Sequence, residues 1–250
     1  TIRDHTHLSA HGGARFYLAD AFPAQYRDRL FMCNIHEHCV LTDVMVRKGS
    51  SFIGKHGDDF LPTNDLAWVG FSVEIGPEGG VYILDWHDTD ICGNASNFPQ
   101  SGRVYRIMPK DANPIERPNL RALSDLELVR LQWHSNDWYV RQARVLLHAR
   151  ATNGSLDRDA VKAELKSMFG SAPDGPKRLR ALWASHVTGA IDRNGLTELL
   201  DHTDPYARAW AIQLLCEQTT IDAFFLADEA TSESSLPEST LNKFAAMASD

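Results

Sequence analysis

Hydrophobic and polar positions change their period part-way along this chain. From Phe71 to Ile75 large apolar and polar side chains alternate, which gives a strand one buried face and one wet face. Val81 to Leu84 is apolar and partly β-branched, and predicts a return strand buried on both faces. Between them Gly76-Pro77-Glu78-Gly79 is a turn with a mechanism: proline at the second position pre-sets φ, and glycine suits the fourth. A third alternating run, Gly102-Arg103-Val104-Tyr105-Arg106-Ile107, predicts a third strand. Upstream the rhythm recurs, with strands expected over 14–18, 30–35, 39–46 and 51–54, a turn at 20–23 and a reversal near His36-Glu37. Strands about ten residues apart with turn signals between them indicate an all-β architecture.

Beyond Pro109 the pattern becomes helical. Pro109, Pro114 and Pro118 make an extended connector, because proline suits neither a helix interior nor a central strand. The expected division is a strand domain over 1–110, a linker over 111–120 and a helical domain over 121–250. Ser124-Asp125-Leu126-Glu127 is a capping box that opens a helix running to about Trp133. Apolar stripes follow at Tyr139, Ala143 and Leu147, at Val161, Leu165 and Met168 with Gly170 as the stop, and at Leu179, Leu182 and Trp183. Asp204-Pro205 gives an N-cap with proline at the first helical position. His134-Ser135-Asn136 with Tyr139-Val140-Arg141 is echoed by His202-Thr203-Asp204 with Tyr206-Ala207-Arg208. That spacing leaves room for two helix pairs per interval, as in a HEAT-like solenoid. The strand groups, for their part, have the look of two β-propeller blades. A blade cannot bury both faces alone and needs neighbours.

Composition narrows the function classes. With 43% apolar and 23% charged residues, the 250-residue chain can bury a core. A net charge of −8, with an acidic excess in both halves, disfavours nucleic acid or an anionic membrane as partner. No window reaches the roughly 18–20 continuous apolar residues of a membrane span. No signal peptide is visible, and the chain, starting at Thr1, reads as the middle of a longer protein. Four cysteines are too few for a disulfide scaffold.

Several short motifs occur in an order that carries a resemblance. They are His11-Gly12-Gly13, Phe22-Pro23 with Tyr26-Arg27, Asn34-Ile35-His36, Phe60-Leu61, Gly76-Pro77-Glu78-Gly79-Gly80-Val81-Tyr82, Asp85-Trp86 and Gly102 to Ile107. Asn136, Trp138, Arg141 and the run Ala209 to Leu215 continue it. In this order they resemble the membrane-bound dehydrogenases of planctomycete-type bacteria, whose propeller is similar to glucose/sorbosone dehydrogenases. The resemblance implies a partial propeller, about two blades of a six-bladed ring, followed by an α-α HEAT-like solenoid. It implies a sugar or alcohol substrate, a pyrroloquinoline quinone cofactor with calcium, a periplasmic or membrane-associated setting and electron transfer to a quinone or a cytochrome c domain. No Cys-x-x-Cys-His haem motif occurs here, and this part alone is not expected to be active.

Candidate residues follow. By the resemblance His36 stands at a strand end where the sugar dehydrogenases present lysine to the quinone, and a histidine there could donate to the cofactor or relay a proton. The plainer reading is a turn histidine. His11 precedes Gly12-Gly13, which serves either a channel-facing site or a tight strand entry. Asp85, Asp88, Asp90 and Asn94 form an oxygen-rich stretch for calcium, or Asp85 accepts from backbone donors between blades. Cys33, His36, His38 and Cys39 have metal-ligand chemistry, but strand alternation sends neighbours to opposite faces. His186 and the tryptophans Trp133, Trp138, Trp183 and Trp210 read as core, and Arg141 and Arg208 as repeat-to-repeat ties. Val69 stands where the family places a cofactor-pairing arginine, which favours the alternative of a non-catalytic module binding a polysaccharide or protein.

Overall fold

The computed structural model describes residues 2–3, 7, 10–49, 51–89, 98–112, 118–217 and 236–248. The fold is mixed β+α, and it divides into two compact units. One runs to Pro118 and includes Ser135–Trp138; the other is Asn119–His134 with the chain from Tyr139 onward.

In the strand unit, β1 (Ile2–Arg3), β2 (His11–Phe16), β3 (Leu30–Asn34), β4 (Cys39–Lys48) and β5 (Ser51–Pro62) form one sheet in the order β1-β5-β4-β3-β2. Among the described strands of this sheet, only β1 is parallel to its neighbour. β6 (Gly70–Ile75), β7 (Val81–Asp85) and β8 (Arg103–Ile107) form a second, antiparallel sheet. One core joins the two. Phe31, Cys33 and Val40 from the larger sheet meet Val73, Ile75, Val81 and Ile83 from the smaller, with Tyr17 and Trp68 between. Tyr17, Phe22, Tyr26, Phe31 and Phe60 pack as tilted and edge-to-face rings, the arrangement that the ring quadrupole favours.

Glycine sets how closely the sheets approach. A Cβ on Gly12 would lie 2.8 Å from the Phe71 Cα, and one on Gly13 would lie 2.8 Å from the Ser72 Cα. β2 therefore meets β6 backbone to backbone, which only residues without a side chain permit. The Gly76–Gly79 turn closes by a hydrogen bond from Gly79 N to Gly76 O at 3.0 Å, with Gly79 at φ +77. The Tyr17 hydroxyl ties this turn down, donating to Gly79 O at 3.0 Å and accepting from Phe22 N. Asn136 completes it: buried, it donates to the carbonyls of Gly76 and Pro77, both at 3.0 Å.

β5 is longer than the expected 51–54 strand. It pairs with β4 along its whole length, with register shifts around Leu41, and its polar His56, Asp58 and Asp59 hide the alternation from a sequence reading.

In the helical unit, α1 (Asp125–Arg130) ends in a 3-10 turn at Leu131–Trp133, and α2 (Asp137–Asn153) follows. α3 (Arg158–Ser171) packs on α4 (Gly175–Thr188). α5 (Arg193–Glu198), a 3-10 turn at Leu199–Asp201 and α6 (Pro205–Cys216) then reproduce the α1-turn-α2 order, and α7 (Glu238–Met247) comes last. The capping box forms in full: Glu127 N donates to the Ser124 hydroxyl, and the Glu127 carboxylate accepts from Ser124 N at 2.7 Å. Asp157, Asp174, Asp192 and Asp204 cap four further helices, each cap worth about 1 kcal/mol. Gly170 does not stop its helix, which runs on to Ser171; a left-handed glycine, Gly189, follows α4 instead. Leu182, Leu196, Leu200, Ala211, Leu214 and Leu215 form the core here, and Trp183 meets Trp210 edge-on. Among the described residues no helix is long and apolar enough to cross a membrane.

Candidate functional site

The β3–β4 reversal brings two expected residues to one end of the larger sheet. His36 sits at its tip, exposed, with its backbone N–H on the Asn34 side-chain oxygen at 3.1 Å. His11, also exposed, opens β2 and lies opposite Asn34 in the strand register. The strands thus place both histidines at the same sheet end, facing water.

Asp85 has a different environment. It is 3% exposed, and its Oδ1 accepts from Val69 N at 2.7 Å and His87 N at 2.9 Å. Its Oδ2 accepts from Arg103 Nε at 3.0 Å and Nη2 at 2.8 Å. With four donors on two oxygens, Asp85 has no lone pair to spare for calcium, so the ion does not fit there. Asp88 is buried as well, and Asp90 and Asn94 lie outside the described residues. Arg103 also binds Asp65 at 2.7 Å, and that hydrogen bond, before the one from Ala67 N, holds the Asp65 carboxyl below the ordinary carboxylate range.

The Cys-His group is dispersed. Cys33 belongs to the core between the sheets, while Cys39 packs with Met32 and Leu41 on the opposite face. Burial pushes the Cys33 thiol up to about 12 and the Cys39 thiol to about 11, with Cys39 and Asp85 adding to the first and Glu37 and Asp59 to the second. Neither is a thiolate at neutral pH. His38 Nδ1 donates to the Trp68 carbonyl at 2.7 Å.

A cluster absent from the sequence expectations forms instead on the larger sheet. His7 Nε2 and His56 Nε2 both approach Asp59 Oδ1, at 3.1 and 3.0 Å. His7 Nδ1 meets Glu37 Oε2, which Asn34 Nδ2 also holds at 3.0 Å. His56 Nδ1 lies 3.6 Å from Asp43 Oδ1. Asp43 is 0% exposed, and neither of its oxygens has a hydrogen-bond partner. The sequence signal was faint: a histidine and an aspartate three apart inside a strand, opposite an aspartate one strand over.

The outer face of the smaller sheet is apolar and open. Phe71, Leu84 and Val104 stand on it, with Trp86 at 56% exposed and Phe98 beside them, around a cavity of about 530 Å³. Val69, the position at which the resemblance implies an arginine, is buried.

Residues 1–111 match the family model of a domain of unknown function, DUF7133. No curated protein and no solved structure matches the chain. The DUF7133 match lies within the strand unit and leaves α1 to α7 unaccounted for.

Proposed function

We propose that this chain is part of a periplasmic or membrane-associated dehydrogenase that oxidises a sugar or related alcohol and passes electrons to a quinone cofactor or a haem domain. In this reading the two sheets are consecutive blades of a propeller, and the helices that follow in the chain are a HEAT-like spacer. The observation that carries it is the seam between the sheets. Gly12-Gly13, the Gly76–Gly80 turn, Asp85 with Arg103, and Asn136 all belong to the motifs of the resemblance. Each fixes one sheet edge, turn or connection of the strand unit. A propeller needs such a seam at every blade junction, and the apolar outer face of β6–β8 offers the next blade a surface to cover.

In this reading His36 and His11, together at one end of the larger sheet, meet the quinone as hydrogen-bond donors or as a proton relay. Pyrroloquinoline quinone carries carboxylates, and the side chain at Val69 supplies no cation for them, so any such pairing falls to other residues of the full-length protein. The cofactor, when bound, supplies the two-electron oxidation. This chain contributes one wall of its mouth.

The test is dye reduction by the full-length protein loaded with pyrroloquinoline quinone and calcium, across a panel of sugars and alcohols. Turnover with at least one substrate, lowered tenfold or more by His36→Ala, is expected. No reduction with any substrate together with no cofactor binding overturns the reading. A second reading, a non-catalytic polysaccharide-binding module, draws on the exposed Phe71, Trp86 and Phe98, since aromatic faces stack on sugar rings. Glycan binding that Trp86→Ala abolishes, without dye reduction, selects it.

A further inference from the structure

We propose that His7, His56 and Asp59 bind a divalent transition-metal ion of the zinc type, with Glu37 and Asp43 orienting the two imidazoles from behind. This site is separate from the dehydrogenase reading and does not depend on it.

One donor atom from each of the three residues lies within 4.8 Å of the other two. The distances from Asp59 Oδ1 to the two Nε2 atoms, 3.1 and 3.0 Å, come close to the edge of a tetrahedron whose corners sit about 2.0–2.1 Å from a central ion, an edge of about 3.3 Å. Both rings turn the same nitrogen toward this point. Their other nitrogens face carboxylates, His7 Nδ1 toward Glu37 and His56 Nδ1 toward Asp43. Metal-bound histidines carry such backing, which fixes the tautomer and raises the basicity of the ligating nitrogen.

Two histidines around one carboxylate could by themselves be a hydrogen-bonded staple. Asp43 is what a staple does not explain. It is a carboxylate at 0% exposure, on a sheet face with Met32, Cys39 and Leu41, and neither oxygen has a hydrogen-bond donor. A buried carboxylate that accepts no hydrogen bond is costly, and the ring of His56, 3.6 Å away, is the group that faces it. An ion bound to the far nitrogen of that ring polarises the near N–H toward Asp43, and its double positive charge balances the buried carboxylate through the imidazole.

The donor set selects the ligand class. Two imidazole nitrogens and one carboxylate oxygen suit zinc, cobalt or ferrous iron and not calcium or magnesium, which want oxygen throughout. Among the described residues three ligands are at hand, and Asp59, with its side chain 53% exposed, lies on the solvent side. Glu37 also connects the cluster to the reversal that carries His36, since Asn34 holds both the Glu37 carboxylate and the His36 N–H.

The experiment is a titration of the chelator-stripped full chain with cobalt chloride, followed by zinc displacement. One cobalt per chain with visible d–d absorption is expected, together with a zinc-dependent rise in melting temperature. Asp59→Asn should weaken cobalt binding at least tenfold and the His7→Ala, His56→Ala double variant should abolish it. Asp43→Asn should weaken it about 10- to 100-fold, the size of effect seen when the groups behind a ligand are changed. His36→Ala and His11→Ala should bind as the unaltered chain does. Absence of stoichiometric cobalt binding by the unaltered chain overturns the proposal, as does full binding by the double variant. If the double variant does not fold, undiminished affinity in Asp59→Asn overturns it equally.

Discussion

Asp85 and Asp43 lie in the same strand unit, each on a central strand of its sheet, and both are closed off from water. Around Asp85 the fold has gathered two backbone N–H groups and a guanidinium, so the carboxylate serves as an anchor for the Val69–His87 connections. Around Asp43 it has gathered a histidine ring at 3.6 Å and no hydrogen-bond donor. A structural carboxylate is satisfied by the chain itself. One that accepts no hydrogen bond has only the neighbouring imidazole to answer it. Identical side chains in one unit thus point to different jobs, and the difference lies wholly in what surrounds them.

The comparison can be broken most forcefully at Asp85. Asp85→Ala leaves the Val69 and His87 N–H groups without their acceptor and Arg103 with Asp65 alone, and a buried donor left unpaired costs about 1–3 kcal/mol. Asp43→Asn in metal-free protein should cost far less, because no hydrogen-bond donor loses its acceptor there. Urea denaturation of the two variants checks this. Equal losses would erase the distinction.

A smaller effect sharpens it from the side of Arg103. Asp65 shares that guanidinium, and its carboxyl is held below its ordinary range by the hydrogen bond from Arg103. The unfolded chain then binds the proton more readily than the folded one. The stabilisation is therefore present above the ordinary carboxylate range and is lost as pH falls through the lowered folded value. Asp65→Asn should flatten the acid limb of the stability profile, as followed by thermal melting between about pH 5 and 2.

The smallest effect is read by the thiols, one on each face of the larger sheet. Cys33 lies in the core beside Asp85, and Cys39 on the face that holds Asp43. Alkylation at pH 8, resolved by peptide mass spectrometry, should run fastest at exposed Cys216, slower at Cys39 and slowest at Cys33. Labelling of Cys33 as fast as Cys216 would mean that the sheets part readily and that the core is not closed.

Much of the local architecture could be read from residue order, because its causes are local. The Gly76–Gly79 turn, the Ser124–Glu127 capping box and the Asp204 cap each depend on side chains within four positions. Gly12-Gly13 was legible only as a close approach to a ligand or to a strand, and the fold brings it against β6. The length of β5 was not, because polar residues needed for the cluster interrupt its alternation. Nor was the cluster itself. Asp43 faces His56 only because β4 and β5 shift register around Leu41, and a shift of one residue turns a side chain to the other face. Residue type and motif point to His36 and Asp85, and type alone does not say that Asp85 is already satisfied.

The strand unit is discontinuous in sequence, and that has a consequence for how it is made. Its turn at Gly76-Pro77 is tied by Asn136, which leaves the ribosome some sixty residues later, after the chain of α1 has emerged. The two sheets can therefore assemble early, but the last fastening on their loop is added only when a portion of the helical segment has been synthesised. In this chain, the order of translation and the order of completion differ.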